Sequence, residues 1–89
     1  MPTVAFTSAL QRFLPAPSTK VAATSVNDAL AAVFAGHPAL RGYVLDDQGA
    51  VRRHVVIFIN GQPIADRARL SDAVKADDEI YVFQALSGG

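Results

Sequence analysis

Polar and apolar residues alternate from Thr3 to Thr7, with Val4 and Phe6 on one face, which predicts a first strand. Leu10, Phe13 and Leu14 follow, and then Pro15-Ala16-Pro17-Ser18 interrupts regular structure. Lys20 to Ala23 reads as a short second strand, giving a hairpin with a long, irregular connection. The period then changes. Val26, Ala29, Leu30, Val33 and Phe34 fall at i, i+3, i+4, i+7 and i+8, a single apolar stripe along a helix. Ser25 or Thr24 serves as N-cap, and Asp28 places a negative charge in the first turn, where the helix dipole favours it. Gly36 can adopt the left-handed cap conformation, and Pro38 blocks continuation.

Leu40 to Leu45 reads as one more helical turn with Leu40, Val44 and Leu45 inward, followed by a turn at Asp46-Asp47-Gln48-Gly49. His54 to Asn60 is the strongest strand pattern: Val55, Ile57 and Ile59 point one way, Val56 and Phe58 the other. Asn60-Gly61 is the preferred pair for a tight hairpin turn, because both positions tolerate positive φ. Ile64 belongs to the short returning strand, and Leu70 and Val74 to a connecting segment. Glu79 to Gln84 is the last strand, with Ile80 and Val82 alternating against Tyr81 and Phe83. A helix with one apolar face needs a sheet to lie on. The order predicts an α+β fold, one main helix across one face of a mixed four- to five-stranded sheet, which is the β-grasp arrangement.

The composition narrows the function classes. The chain of 89 residues is one domain's worth, 51% apolar and 18% charged, with eight basic and eight acidic side chains. That is too apolar for a disordered tail, and it lacks the basic surplus of a nucleic-acid module. No apolar run approaches the roughly 18–20 residues of a membrane span. Met1-Pro2-Thr3 lacks the basic start and apolar core of a secretory signal, so a cytoplasmic protein is expected. With no cysteine, disulfides, thiolate metal sites and a cysteine nucleophile are excluded.

No catalytic constellation stands out. His37 and His54 are the only imidazoles and make a poor metal site without cysteine or a patterned carboxylate. Asp46-Asp47 and Asp77-Asp78-Glu79 read as solvated turns rather than a cation site. Arg52-Arg53 suits a salt bridge or the steering of a partner, and neither Ser71 nor Ser87 has an identifiable base. Phosphate-loop and dinucleotide glycine patterns are missing from the sequence. The unusual feature is the run Gln84-Ala85-Leu86-Ser87-Gly88-Gly89. Six extended residues reach roughly 20 Å. Side chains shrink along it, so such a tail can thread a narrow channel and let its backbone approach a ligand closely.

Taken in order, Val4-Ala5-Phe6, Ser25-Val26-Asn27-Asp28-Ala29-Leu30, His37-Pro38-Ala39-Leu40-Arg41, Val55 to Gly61, Asp78-Glu79-Ile80 and Leu86-Ser87-Gly88-Gly89 resemble the ubiquitin-like sulfur-carrier family, the MoaD/ThiS family. The chain departs from it at Gln84-Ala85, where members often have prolines, and in a longer Gly42 to Arg53 stretch, similar to carriers serving cysteine or secondary-metabolite synthesis. The resemblance implies a β-grasp domain over residues 1–83 and a flexible tail over 84–89. It implies a carrier and not an enzyme: Gly89 is adenylated by an E1-like enzyme that uses ATP, with no bound cofactor or metal. The resulting thiocarboxylate then hands sulfur to a biosynthetic enzyme. Gly88, Ser87 and Leu86 complete the tail in this reading. Two alternatives share the same end: a ubiquitin-like modifier joined to lysines, and the small subunit of a molybdopterin-synthase-like complex.

Docking needs a surface. With Val55, Ile57 and Ile59 toward the helix, Val56, Phe58, Tyr81 and Phe83 share the outer face of the sheet beside the tail's root. In the family, an aromatic residue at the Phe83 position belongs to the partner-binding surface. The competing reading is that the Leu40 to Arg53 segment or the 8–18 connection covers this face.

Overall fold

The computed structural model describes residues 1–7 and 18–84. Its elements are β1 (Thr3–Phe6), β2 (Ser18–Lys20), α1 (Val26–Gly36), α2 (Pro38–Val44), β3 (Val55–Ile59), β4 (Gln62–Pro63) and β5 (Glu79–Gln84). The strands form one mixed sheet in the order β2-β1-β5-β3-β4. β1 and β5 run parallel at its centre, and the remaining pairs are antiparallel. This is the expected β-grasp arrangement.

Alternation decides the two faces. Val4 and Phe6 of β1, Val55 and Ile57 of β3, and Ile80 and Val82 of β5 are all buried on one side. The whole stripe of α1 (Val26, Ala29, Leu30, Val33 and Phe34) is buried with them in a single core cluster. Leu40, Val44, Leu45, Val51, Ile64, Leu70 and Val74 complete that core. Burying a side chain of this size is worth roughly 1.5–3 kcal/mol, so the shared face is the main source of stability.

Local chemistry sets the boundaries, and three differ from expectation. Ser25 is the N-cap, its Oγ accepting the Asp28 N–H at 3.1 Å. Gly36 is still helical and does not form a left-handed cap; the break falls at His37, with φ −142° and ψ 67°. Pro38 disfavours a helical residue before it, which is reason enough for the break, and it then occupies the first position of α2. That second helix is longer than the single turn expected.

The second strand is Ser18–Lys20 rather than Lys20–Ala23, paired through Thr3 with Lys20, Val4 with Thr19 and Ala5 with Ser18. Val21 N–H donates to Pro2 O at 3.0 Å, but Pro2 has no N–H to return, so the ladder stops there. At the β3–β4 hairpin, Asn60 and Gly61 have φ of 51° and 85°, the conformation such a two-residue turn requires. Ile64 lies one residue past β4, although its N–H still reaches Ile57 O at 2.9 Å. The chain peels away because the next two amides, of Ala65 and Asp66, donate to the Asp72 carboxylate at 2.9 and 2.8 Å.

Candidate functional site

The outer face of the sheet carries a short apolar band. Across β3 and β5, Val56 stands opposite Phe83 and Phe58 opposite Tyr81. The Phe58 row extends to Pro63 of β4 on one side and, through Tyr81, to Ala5 of β1 on the other. Tyr81 and Phe83 are 40% and 42% exposed, whereas Val56 and Phe58 are half-buried. The two faces of β5 are therefore as the alternation predicts. The Leu40 to Arg53 segment packs its apolar residues into the helix-side core, away from this band. Residues 8–17 of the other connection lie outside the described residues.

β5 leads directly into the sequence end. Gln84, its last residue, pairs with Val55 and donates its N–H to Thr7 Oγ1 at 3.4 Å. A parallel ladder would next take the Thr7 carbonyl as acceptor; the hydroxyl stands in for it as β1 ends. Leu86, Ser87, Gly88 and Gly89 lie outside the described residues.

The remaining polar candidates hold loops. Asp46 Oδ1 accepts the Gln48 and Ala50 amides at 2.8 and 3.1 Å, closing the expected turn. Asp78 accepts the Lys75 amide and the Asn60 side chain, both at 2.8 Å. The Lys75 amide first, and then the Asn60 amide group and the Lys75 charge, hold the Asp78 carboxyl below the usual carboxylate range. Asp66, not singled out by the sequence pattern, accepts from the Ser71 hydroxyl and from the Arg69, Ala68 and Ser71 amides. The Ser71 hydroxyl is the largest influence lowering its pKa, followed by the Arg69 amide. Ser71 is thus a turn residue bonded to a carboxylate.

Arg52 does not meet a carboxylate through its Nε, which donates to Gly42 O at 2.8 Å. Arg67, also missed by the sequence reading, donates from Nη2 to Arg52 O at 2.7 Å and Val55 O at 2.6 Å. His37 and His54 are half-buried, and no three His, Asp or Glu side chains gather among the described residues as a metal site would need. Among those residues no helix is long and apolar enough to cross a membrane.

With this geometry in view, the comparisons with known proteins can be stated. A model of the ThiS family matches residues 13–89, through the Gly88-Gly89 end. The chain belongs to the ThiS family. Its ThiS-family relative, small archaeal modifier protein 1 of Haloferax volcanii, is 38% identical over 65 residues, 73% of this chain and 70% of that protein. The crystal structure of SAMP1 from the same organism superposes with a TM-score of 0.83 at 30% identity, covering 99% of this chain and 98% of the other. A chain in the Amycolatopsis orientalis BexX/CysO complex gives a TM-score of 0.87 at 18% identity over the whole of both chains, a likeness of fold. The ubiquitin-like β-grasp assignment rests on both the strand order and these neighbours.

Proposed function

We propose that this ThiS-family chain is a sulfur carrier whose working group is the Gly89 carboxylate. The observation that carries the reading is the placement of Tyr81 and Phe83: two exposed aromatic rings on the outer face of the strand that runs into Leu86-Ser87-Gly88-Gly89. A carboxylate is a poor electrophile because its charge is delocalised and its leaving group would be oxide. An E1-like enzyme spends ATP to convert it to an acyl-adenylate, releasing pyrophosphate. A sulfide-level donor then displaces AMP and leaves a thiocarboxylate, a soft nucleophile that passes sulfur to a biosynthetic enzyme. No cofactor is needed on the carrier in this scheme; ATP belongs to the activating enzyme.

The division of labour follows from shape. Residues 1–83 form the handle, and the tail beyond the sheet is the part that reaches another enzyme's reaction centre. Val56, Phe58, Tyr81 and Phe83 supply the docking surface, with the two aromatics as anchors. Deleting Gly89, or adding one residue after it, is expected to abolish adenylation while leaving the fold intact. Unchanged ATP–pyrophosphate exchange with the deleted chain would defeat the tail mechanism.

A second reading is supported by one observation, the 38% identity to a protein named as a modifier. In it a target lysine amine, rather than a sulfur donor, attacks the same adenylate and forms an amide. Conjugates of raised mass would favour that outcome.

A further inference from the structure

The formal charge of the chain is zero, but its charges are not evenly placed along the sheet. At the end where β5 finishes, Gln84 pairs with Val55, the first residue of β3. Three guanidinium-bearing residues surround that position. Arg53 is exposed two residues before Val55. Arg67 reaches the carbonyls of Arg52 and Val55, and Arg52 reaches that of Gly42. A carbonyl accepts a hydrogen bond without neutralising the charge of its donor, so these interactions fix the cations in place and leave the charge uncancelled.

The acids lie elsewhere. Asp78 is bonded to Asn60 at the far end of β3, and Glu79 opens β5 beside it. Four strand steps separate Val55 from Ile59, roughly 13 Å at about 3.3 Å per residue. This exceeds the Debye length of about 8 Å at physiological ionic strength, so the two ends act as separate fields. Asp66 is next to Arg67 in sequence, but its carboxylate is turned to the amides of residues 68, 69 and 71. Asp46 is likewise spent on the amides of Gln48 and Ala50.

We propose that Arg52, Arg53 and Arg67 form a cationic collar at the root of the tail that docks against acidic side chains around the channel of the activating enzyme. This rests on the carrier reading and adds to it the charge of the partner surface. ATP phosphates are not the collar's ligand. They react with the carboxylate of Gly89, five residues beyond Gln84 and up to about 17 Å away along an extended chain. The collar acts before chemistry: it orients the tail end of the domain toward the channel during encounter, and Phe83 then seats.

The test is ATP–pyrophosphate exchange with the purified E1-like enzyme of the same organism, over a range of ionic strength. Arg53→Glu and Lys75→Glu each change the net charge equally, one at the collar and one at the opposite, acidic end; Arg53→Gln is the milder companion. Thermal melts confirm that all three are folded. The expected result is that parent kcat/KM falls as salt rises. Arg53→Glu should lose roughly tenfold at low salt, with a flattened salt dependence and unchanged kcat at saturation. Arg53→Gln should fall between, and Lys75→Glu within about twofold of the parent. Equal losses for the two reversals, or an unaltered Arg53→Glu, would overturn the collar while leaving the carrier reading intact. No exchange with the parent chain would instead overturn the carrier reading, and the collar with it.

Discussion

Phe83 stands directly across from Val56 on the outer face of the sheet, while the next pair along the same two strands, Val82 and Ile57, is fully buried. A single step along β5 therefore separates a side chain that holds the domain together from one free to hold a partner. Replacing Phe83 by Ala should leave the melting temperature nearly unchanged. Loss of an aromatic anchor at an interface costs about 2 kcal/mol, roughly thirtyfold in affinity, so the variant should need far more enzyme to reach the same activation rate. Saturation should restore turnover, because Gly88 and Gly89 are untouched. A strongly destabilised Phe83→Ala would contradict the assignment of this face.

The opposite behaviour is expected from the helix. Leu30 and Phe34 lie in the middle of the α1 stripe and are buried against the sheet. Truncation of either to Ala should cost roughly 2–5 kcal/mol, through lost burial and the cavity left behind. That is a large part of what a domain of this size possesses, so denaturant melts are the appropriate measurement. Two variants that melt like the parent would show that α1 does not pack as described.

Acid should weaken the domain through its turns. The Asp66 and Asp78 carboxyls titrate below their ordinary range in the folded protein, Asp66 chiefly through the Ser71 hydroxyl and Asp78 chiefly through the Lys75 amide. A carboxylate depressed in this way stabilises fully above its unfolded pKa of about 4, and the contribution is lost as pH falls through the lower folded value. Asp66→Ala should therefore lower the melting temperature at neutral pH. Its deficit relative to the parent should narrow below about pH 4, as the parent's own carboxylate protonates. A deficit independent of pH would show that the charge on Asp66 contributes nothing.

Much of the fold could be read from local pattern. The stripe from Val26 to Phe34, the alternation in Val55–Ile59 and Glu79–Gln84, and the Asn60-Gly61 turn each depend on near neighbours and appear as expected. Where two distant segments meet, the pattern says less. The register of β2 depends on Pro2, which ends the ladder at Val21, and no periodicity within residues 18–23 reveals that. Leu70 takes a φ of +56° while buried, and its carbonyl accepts the Asn27 amide at the start of α1; a leucine gives no hint of this conformation. Asp66, Asp72 and Arg67 bind groups five to fifteen residues away through irregular chain. The docking residues were visible as the outward half of two alternating strands, because a two-residue period assigns faces without knowledge of the partner strand. Their unequal exposure was not, since that depends on which strands flank each one.

The central claim is chemical and can be tested at one atom. The full chain, ending at Gly89, is incubated with its E1-like enzyme, ATP and a sulfur donor, and its intact mass is then measured. The account predicts a gain equal to exchanging one oxygen for one sulfur, located in the C-terminal peptide and lost when Gly89 is deleted. A chain that forms the adenylate yet never gains that mass, and is recovered instead linked to lysines of other proteins, would contradict the carrier reading in favour of the modifier.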